Sequence, residues 1–524
     1  METFLTLNPQ IMKKLFLFAL CLTLTHLSWA KTYDIKKLGA DATGKKACTE
    51  LINKTIDKAA QEGGGTIYFP AGTYLTATIE MKSNITLHIE SGATIRFSDN
   101  FEDYLPFVKI RWEGTVMNTL SPLIYAHDAD NLTITGRGTL DGNGFKWWAW
   151  EGETKKIIKD NGGKLPDDKK SKLQRMWEDA NVGLEVSDYY KGSLERRMFR
   201  PPFIQFFECS NILIENVKII NSPFWTVNPA FCDNVVVHGV TIKNPDKNPK
   251  GPNTDGINPT SCRNVRISDC FISVGDDCIT IKSGRDADGR KYGKACENIT
   301  ITNCVMLSGH GGVVIGSEMS GGVKRVTISN CVFDGTDAGI RLKASRGRGG
   351  VVEQIRVDNI VMRNIQRNAF IFDLFYDKTS KVEPVSERTP IFRNIHLSNI
   401  TGREIKQIGY ISGIKEMPVQ NLSFNNLNME AEKGFIVNTA KDIYFNNVEF
   451  SATKGSPWVF EDSEKIILNN VRTKYPTEGT PVITFDHVTD AYINNCVQIE
   501  PVSIFYRETD SQVKDGGNNQ ISIK

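Results

Sequence analysis

A short repeated motif constrains the fold of this chain more than any other feature of its sequence. Each copy has two apolar residues at alternate positions, followed two positions later by Asn, Asp or Gly and then by another apolar residue. Such alternation predicts β-strands. The polar anchors return every 21 to 40 residues, at Asn216, Gly239, Asp269, Asn303, Asn330, Asn359, Asn399, Asn426, Asn447, Asn470 and Asn495.

The irregular spacing of the anchors selects among the folds built from short strands. Propeller blades repeat at nearly constant length, whereas a β-solenoid tolerates coils of unequal length. We therefore predict an all-β chain folded as a right-handed parallel β-helix. A sandwich of short strands is the alternative, but it would not repeat the same motif at the same place in each unit.

The N-terminal end of the predicted solenoid has its own pattern. Residues Tyr33 to Leu38 are predicted as a strand and Gly39 to Gly44 as a turn. From Lys45 to Gln61 the apolar residues recur at helical spacing, which predicts an amphipathic helix that ends at Gly63 to Gly65. Such a helix would cap the first coil, whose edge has no strand beneath it.

One long segment, residues 143–201, interrupts the repeat. It contains Trp147, Trp148 and Trp150 and a helical pattern from Asp167 to Ala180. Insertions of this length are usually functional, and these tryptophans would either stack on a ligand or pack the insertion onto the solenoid. Because solenoids grow by stacking coils, we expect residues 31–524 to form a single β-helix domain that carries this insertion.

The charge of the chain is nearly balanced. Of 524 residues, 63 are Lys or Arg and 61 are Asp or Glu, and 40% are hydrophobic. This composition supports a buried core and excludes wholesale disorder. It argues against a nucleic-acid or anionic membrane surface, so affinity for an acidic ligand must come from a local cluster. It gives no signal for self-association, and we expect a monomer.

The first 30 residues have the features of a secretory signal peptide that starts at Met12. Two lysines follow Met12, Leu15 to Leu27 is apolar, and Ser28 and Ala30 are the small residues of a cleavage site. The apolar run is shorter than the roughly 20 residues that span a bilayer. We therefore predict no membrane span and an exported protein, periplasmic or extracellular.

Ten of the eleven cysteines remain after the signal peptide is removed. An even number in an exported protein can form disulfides. Most of them lie at repeated strand positions, however, where buried free cysteines would stack in neighbouring coils, and both alternatives stay open. No Cys/His spacing matches a zinc site, and we expect neither a metal nor a cofactor.

Four polar clusters stand out between residues 253 and 343: Asn253-Thr254-Asp255-Gly256, Gly275-Asp276-Asp277, Gly309-His310-Gly311 and Arg341-Leu342-Lys343. If each repeat is one coil, the clusters form a ladder roughly 15 Å tall, a groove for a polymer. Crowded carboxylates suit general acid and base work at a glycosidic bond. Arg341 and Lys343, on alternate strand positions, suit an anionic sugar. Taken singly, each cluster is a common turn or surface sequence, so the prediction depends on their order and spacing.

In this order the four clusters resemble the signature motifs of the polygalacturonase family, glycoside hydrolase family 28. The segments Asn221 to Thr226 and Gly316 to Gly322 resemble bacterial members, and the similarity extends over nearly the whole mature chain. The resemblance implies a right-handed parallel β-helix. It also implies metal-independent, inverting hydrolysis of α-linked galacturonic acid, with pectic polysaccharide or oligogalacturonide as substrate.

The resemblance also implies a role for each cluster. Asp276 would be the general acid, Asp255 and Asp277 would hold and deprotonate the water, and His310 would support the protonation of the acid. The residues expected to bind substrate are Arg341, Lys343, Asn253 and Glu318.

Four details depart from the family pattern or conflict with general rules of strand geometry and of carboxylate spacing. Asp276 and Asp277 are adjacent, so both can serve one site only if Gly275 permits a local distortion of the strand. Leu342 replaces the usual Ile and should point inward, and Asn228 stands where His is common. Carboxylates one coil apart would by the general distance rule indicate retention; we follow the resemblance, which implies inversion.

Two other functions are compatible with a β-helix. A pectate-type lyase would need calcium and a base and would yield an unsaturated product, whereas a polysaccharide-binding solenoid would give no product. Among hydrolases, the insertion at residues 143–201 could close one end of the groove, which favours exo action. Galacturonate linked to rhamnose in rhamnogalacturonan is the alternative substrate.

Overall fold

The computed structural model describes residues 31–184, 186, 200–376 and 381–523. The predicted signal peptide lies outside the described residues. Within them, no helix is long and apolar enough to cross a membrane. The helices are α1 Thr49–Gln61, α2 Phe145–Asp160, α3 Lys172–Ala180 and α4 Asp286–Tyr292, with 3₁₀ turns at Phe101–Tyr104 and Asp167–Lys169.

Strands make up most of the remaining described chain. Those before residue 200 are β1 Lys31–Asp34, β2 Thr43–Ala47, β3 Gly65–Phe69, β4 Gly72–Thr76, β5 Ile79–Glu80, β6 Ile85–Ile89, β7 Ala93–Phe97, β8 Val108–Trp112, β9 Thr115–Thr119, β10 Ile124–His127, β11 Asp130–Gly136 and β12 Thr139–Asp141. The next group is β13 Ile204–Phe207, β14 Ser210–Glu215, β15 Lys218–Ile220, β16 Asp233–His238, β17 Thr241–Lys243, β18 Arg263–Ser268, β19 Phe271–Ser273, β20 Ile279–Ile281, β21 Cys296–Thr302, β22 Val305–Ser308, β23 Val313–Gly316, β24 Val323–Asp334 and β25 Ala338–Lys343. The last are β26 Val351–Arg363, β27 Asn368–Asp373, β28 Ile391–Ser412, β29 Val419–Asn438, β30 Ala440–Glu461, β31 Glu464–Arg472, β32 Ile483–Asp486, β33 Thr489–Asn494, β34 Val497–Val502, β35 Tyr506–Thr509, β36 Val513–Gly517 and β37 Gln520–Ile523.

Three parallel sheets form the walls of a right-handed solenoid. In each sheet a strand pairs in register with the strands one coil below and one coil above it. In the first sheet, for example, the same strand position is occupied in successive coils by Ile212, Val235, Val265 and Ile299. The third sheet contains β20, β23, β25 and β27 in successive coils. The predicted all-β parallel β-helix is confirmed, and the sandwich is excluded.

The polar anchors of the repeat turn the chain from the first sheet, which contains β14, β16, β18 and β21, into the second, which contains β15, β17, β19 and β22. Asn330 and Asn359 have φ angles of 54° and 52°, in the left-handed region that Asn adopts more readily than most residues. Their side chains also form a ladder, because Asn359 Nδ2 donates to Asn330 Oδ1 at 2.7 Å. The turn and the ladder together explain why the same residue type returns in coil after coil.

The cysteines belong to the apolar interior of the solenoid. The register places Cys232 beside Cys262, and Cys262 beside Cys296, in neighbouring coils. Strands one coil apart are about 4.8 Å apart, farther than the roughly 3.8 Å between the Cβ atoms of a disulfide. All ten cysteines in the described part of the chain are buried and free, so the structure supports the second of the two alternatives.

The boundaries of the N-terminal elements differ from the prediction. Strand β1 ends at Asp34 rather than Leu38 because the chain turns there. The capping helix α1 begins at Thr49 rather than Lys45, because residues 43–47 pair with β4 as strand β2. Its buried apolar face packs against β1, β3, β5 and β6, so the helix caps the first coil as predicted.

The insertion packs onto the solenoid through its helices. Helix α2, which the sequence analysis did not predict, contains Trp147 and Trp148, and both are buried. The predicted helical stretch at residues 167–180 is a 3₁₀ turn followed by α3. Residues 185 and 187–199 of the insertion lie outside the described residues. These two tryptophans therefore pack the insertion and do not offer a surface for a sugar.

A β-hairpin of strands β8 and β9 covers part of the third sheet. The strands are antiparallel, and the turn residues Glu113 and Gly114 have φ angles of 44° and 85°. Positive φ at both positions is the conformation of a two-residue type I′ turn. The hairpin lies over β13, where Gln205 Nε2 donates to Arg111 O at 2.9 Å.

Candidate active site

The four clusters lie in successive coils along the third sheet. Gly256 N donates to Asp277 O at 3.0 Å, and Cys278 N donates to Gly311 O at 2.9 Å. One coil higher, strand β23 pairs in register with β25, which contains Arg341. The clusters therefore form the ladder that their spacing predicts.

Asp276 and Asp277 both line the same cavity although they are adjacent in sequence. The chain bends at Gly275 and Asp276, before strand β20 begins. At this bend a Cβ on Gly275 would lie 2.2 Å from Gly251 O, so only glycine fits. The local distortion required by the sequence analysis is present, and the two carboxyl groups need not face opposite sides.

Asp276 is hydrogen-bonded to His310. The Nδ1 atom of His310 lies 3.1 Å from Asp276 Oδ1, and its Nε2 atom lies 2.9 Å from Lys250 Nζ. Because an ammonium group can only donate, this second contact leaves Nε2 as the acceptor and places an imidazole proton on Nδ1, facing Asp276. Asp276 is partly exposed, whereas Asp255 and Asp277 are buried.

The two buried carboxylates have different partners. Asp277 Oδ2 accepts a hydrogen bond from Lys343 Nζ at 2.8 Å. Asp255 Oδ2 accepts one from Asn258 Nδ2 at 3.1 Å. Asp277 thus has a cation beside it, and Asp255 has a neutral amide.

Three of these groups are close enough to share a cation. Ligand atoms of Asp276, Asp277 and His310 lie within 4.8 Å of one another. Asp276 already has His310 as its partner, and Asp277 has Lys343. Positive charge is therefore supplied by side chains, which suits the metal-independent chemistry that the resemblance implies.

The acids of the site differ in their proton affinity. Burial raises the pKa of Asp255 well above its ordinary range, and the charge of Asp276 raises it further. Burial alone would also raise the pKa of Asp276, but the hydrogen bond and charge of His310 outweigh it and lower that pKa. The same hydrogen bond raises the pKa of His310. In the site without substrate, Asp276 is therefore ionised and faces the Nδ1 proton of His310.

These groups line a cavity of about 380 Å³. Arg341 and Lys343 lie on one side of it. Arg341 Cζ is 5.6 Å and Lys343 Nζ is 5.8 Å from the ring centre of Tyr376. Leu342 between them points into the core, as expected. Within the described residues, the buried Nε of Arg341 has no hydrogen-bond partner. Its guanidinium can therefore receive an anionic group.

An ion cluster that the sequence did not indicate lies at one end of the cavity. Glu318, which was expected to bind substrate, accepts hydrogen bonds from Lys282 Nζ at 2.8 Å and from Arg285 Nη2 at 2.7 Å. Arg348 lines the same end. Single basic residues after a strand are common, so the sequence contained no signal that these would meet Glu318.

The β8–β9 hairpin borders this end of the cavity, where Glu113 is one of the lining residues. Arg285 N donates to Gly114 O at 3.0 Å, and Arg285 Nε donates to Glu113 O at 3.2 Å. A Cβ on Gly114 would lie 3.0 Å from Glu318 Cγ, so the turn and the ion cluster are in close contact. The hairpin therefore forms a wall at this end of the cavity, and helix α3 of the insertion packs against strand β9. That the insertion closes the groove stays a prediction.

Two asparagines of the predicted region have different positions. Asn253 lines the cavity, and its Oδ1 accepts a hydrogen bond from Arg200 Nη2 at 2.8 Å. Asn228 is fully buried and donates to Asn258 O at 2.7 Å. Asn228 thus supports the wall beneath the site, and a substrate in the cavity would not reach it.

Known proteins are similar to this chain over most of its length. The model of the family described as glycosyl hydrolases family 28 matches residues 188–453, which include all four clusters. A second model, described as rhamnogalacturonase A/epimerase, pectate lyase-like, matches residues 32–159. A probable polygalacturonase of Vitis vinifera is 28% identical over 450 residues, which are 84% of this chain and 82% of the relative.

Two further relatives differ in the mode of action that their names state. An endo-polygalacturonase of Pectobacterium carotovorum subsp. carotovorum is 29% identical over 71% of this chain and 83% of its own. Among solved structures, a hyperthermoactive exopolygalacturonase from Thermotoga maritima is 33% identical. That match has a TM-score of 0.65 and covers 80% of this chain and 91% of the other.

Proposed function

The chain belongs to family 28 of the glycosyl hydrolases, and we propose that it hydrolyses α-linked galacturonic acid in pectic polysaccharide or oligogalacturonides with inversion. The observation that supports this most is the position of Asp255, Asp276 and Asp277 beside Arg341 and Lys343 in one cavity. The acids suit cleavage of a glycosidic bond. The cations suit a uronate carboxylate.

Asp276 is proposed as the general acid because it is the most exposed of the three carboxyl groups. An anionic sugar that enters the cavity excludes water and adds negative charge, and both effects raise the proton affinity of Asp276. The proton on His310 Nδ1, 3.1 Å away, can then move to Asp276 as Nε2 takes a proton from the ammonium group of Lys250, 2.9 Å away, so that His310 stays neutral. From Asp276 the proton passes to the glycosidic oxygen as the bond to the anomeric carbon breaks.

The two buried carboxyl groups are proposed to hold the water. Asp277, with Lys343 as its partner, accepts a proton from the water while the water oxygen bonds to the anomeric carbon. Attack from the face opposite the leaving oxygen inverts the configuration of that carbon. Asp255, whose pKa is raised by burial, can hold the water through a hydrogen bond.

We further propose exo action by an exported monomer. The contacts of the β8–β9 hairpin with Arg285 and Glu318 support a groove that ends at this hairpin. A polymer would therefore enter from the other side, with one end at the closed wall. The signal-peptide features of residues 1–30 support export to the periplasm or the exterior.

Product analysis tests this proposal. The mature protein is incubated with polygalacturonic acid and, separately, with rhamnogalacturonan, both in the presence of a chelator. We expect galacturonic acid monomer from polygalacturonic acid at the first time point. A spread of oligomers would contradict exo action, and product from rhamnogalacturonan alone would contradict the substrate. A calcium-dependent, ultraviolet-absorbing product would indicate a lyase, and binding without any product would indicate a polysaccharide-binding solenoid.

A further inference from the structure

The insertion carries a buried arginine that contacts the segment before Asp255. Arg200, near the end of the insertion, is fully buried. Its Nη1 donates to Pro223 O at 2.8 Å and to Pro252 O at 2.7 Å, and its Nη2 donates to Asn253 Oδ1 at 2.8 Å. The two prolines precede paired positions of neighbouring coils. One planar guanidinium, whose donors have a fixed geometry, therefore joins two coils next to the site.

The segment that this guanidinium holds is connected to both Asp255 and Asp276. Thr254 directly precedes Asp255, and Gly275 directly precedes Asp276. The hydroxyl group of Thr254 donates to Gly251 O at 2.7 Å and accepts a hydrogen bond from Gly275 N at 3.1 Å. A Cβ on Gly275 would lie 2.2 Å from Gly251 O, so the two backbones are in close contact. A shift of this segment would therefore move both carboxyl groups.

Helix α2 of the insertion supplies a counter-charge to Arg200. Glu151 Oε1 lies 3.5 Å from Arg200 Nη2, and neither side chain is more than 2% exposed. The more exposed Lys155 also lies 2.6 Å from this carboxylate. Burial lowers the pKa of Arg200, and the negative charge of Glu151 opposes this shift. Because a buried cation is costly without an anion beside it, Glu151 stabilises the guanidinium in its position.

A tryptophan of the same helix contacts the same two coils independently of Arg200. Trp148 Nε1 donates to Ser222 O at 3.0 Å, directly before Pro223. A Cβ on Gly251, directly before Pro252, would lie 3.1 Å from Trp148 Cζ2. The insertion therefore contacts each coil through two different side chains, one by hydrogen bonds of a cation and one by an indole ring.

We propose that Arg200 is a positioning residue for the water-holding carboxylate of Asp255, and that the insertion contributes to the reaction through it. Arg200 fixes the segment that leads to Asp255, and Glu151 keeps Arg200 in place. This inference rests on the proposed hydrolysis and gives the insertion a part in the chemical step. Such a part differs from closing the groove, which would change the products released rather than the turnover number.

Kinetics of the Arg200→Lys variant on trigalacturonate test the positioning role. The substitution keeps the positive charge, but an ammonium group cannot hold two carbonyl groups and an amide in the planar geometry of a guanidinium. A misplacement of about 1 Å can cost about 100-fold in rate, so kcat should fall about 100-fold. KM should rise less than about 10-fold, because Arg341 and Lys343 still contact the substrate.

The Glu151→Gln variant tests the contribution of the insertion helix. Glutamine keeps the shape of the side chain and removes its charge, so the guanidinium is held less firmly and kcat should fall about 10-fold. The matched controls are Arg346→Lys and Glu416→Gln. These two residues form a largely buried pair, with Nη2 2.8 Å from Oε2, and in the described part of the chain neither lines the cavity. The controls should also lower the melting temperature, but they should keep kcat within about 3-fold of the wild type.

The outcomes separate the positioning role from the proposed function. All variants are compared at a temperature at which circular dichroism shows that they are folded. If the wild type hydrolyses trigalacturonate while Arg200→Lys and Glu151→Gln have the same kcat as their controls, the positioning role is overturned and the hydrolysis stands. If Arg200→Lys does not fold, Glu151→Gln decides alone. If the wild type hydrolyses no galacturonide, the proposed function itself is overturned.

Discussion

Replacing Glu318 with glutamine should destabilise the protein by about 3–5 kcal/mol at neutral pH. Glu318 lies 2.8 Å from Lys282 and 2.7 Å from Arg285, and the side chains of all three are at least nine-tenths buried. Glutamine keeps the shape of the side chain but removes its charge. Two buried cations then lose the carboxylate that lies between them.

The size of this effect follows from the geometry of the two contacts. At an effective dielectric constant of about 20, each contact has a Coulomb energy of about 6 kcal/mol. Desolvation of the three charges offsets much of this, and removing one partner of a buried pair typically costs about 3–5 kcal/mol. The unfolding entropy of a chain of this length is about 1 kcal/mol/K. The melting temperature should therefore fall by about 3–5 °C.

The effect should also depend on pH in a defined direction. Burial alone would raise the pKa of Glu318, but the charges of Lys282 and Arg285 outweigh it and hold that pKa well below its ordinary value of 4.5. A carboxyl group with a lowered pKa stabilises the folded state above its unfolded pKa and loses this contribution as the pH falls through its folded pKa. The difference between wild type and variant should be complete at neutral pH and shrink below pH 4.5.

Thermal unfolding followed by circular dichroism at several pH values measures this difference. The control is Glu297→Gln, because Glu297 pairs with Lys324 and Arg325 at the surface, where such pairs contribute about 1 kcal/mol or less. A Glu318→Gln protein that melts within about 1 °C of the wild type at neutral pH would refute the reasoning. So would a difference that does not change with pH.

Three further predictions concern the site and the core. Asp276→Asn should lower kcat about 100- to 10,000-fold in a protein that still folds, and substantial residual turnover would remove Asp276 from the role of acid. His310→Asn should lose stability mainly below pH 6.5, because the hydrogen bond to Asp276 raises the pKa of His310 and its contribution disappears as the pH rises through the folded pKa; parallel profiles of melting temperature against pH would contradict this. The ten buried cysteines should not react with a chromogenic thiol reagent in the native protein and should all react in denaturant; fewer than ten reactive thiols would reveal disulfides.

The fold could be predicted from the sequence because its cause is local and repeated. Each coil needs alternating apolar residues and a left-handed turn residue such as Asn330, and both requirements are visible within a few residues. Helix α2 was missed because its apolar residues do not lie along one face of the helix. Trp147 packs against the ring of Phe101, whereas the neighbouring Trp148 donates a hydrogen bond to Ser222 O. The start of α1 was misplaced because the pairing of residues 43–47 with β4 is a tertiary contact.

The candidate site was predictable to the extent that it follows the coil repeat. Asp276, His310 and Arg341 belong to clusters whose spacing matches the coils. The wall that the hairpin forms was not predictable, because Glu113 and Arg285 are 172 residues apart in the chain. Their contact depends on a hairpin that folds across several coils, and no local sequence pattern predicts such a contact.

Proton NMR of the first product that the wild-type enzyme releases from trigalacturonate would decide the chemistry of the site. With Asp276 as the acid and a water held by Asp255 and Asp277, the attack comes from the face opposite the leaving oxygen. We predict that the new reducing end of galacturonic acid appears first as the β anomer, before mutarotation. An α anomer would contradict the inverting arrangement, and an unsaturated uronate would contradict hydrolysis altogether.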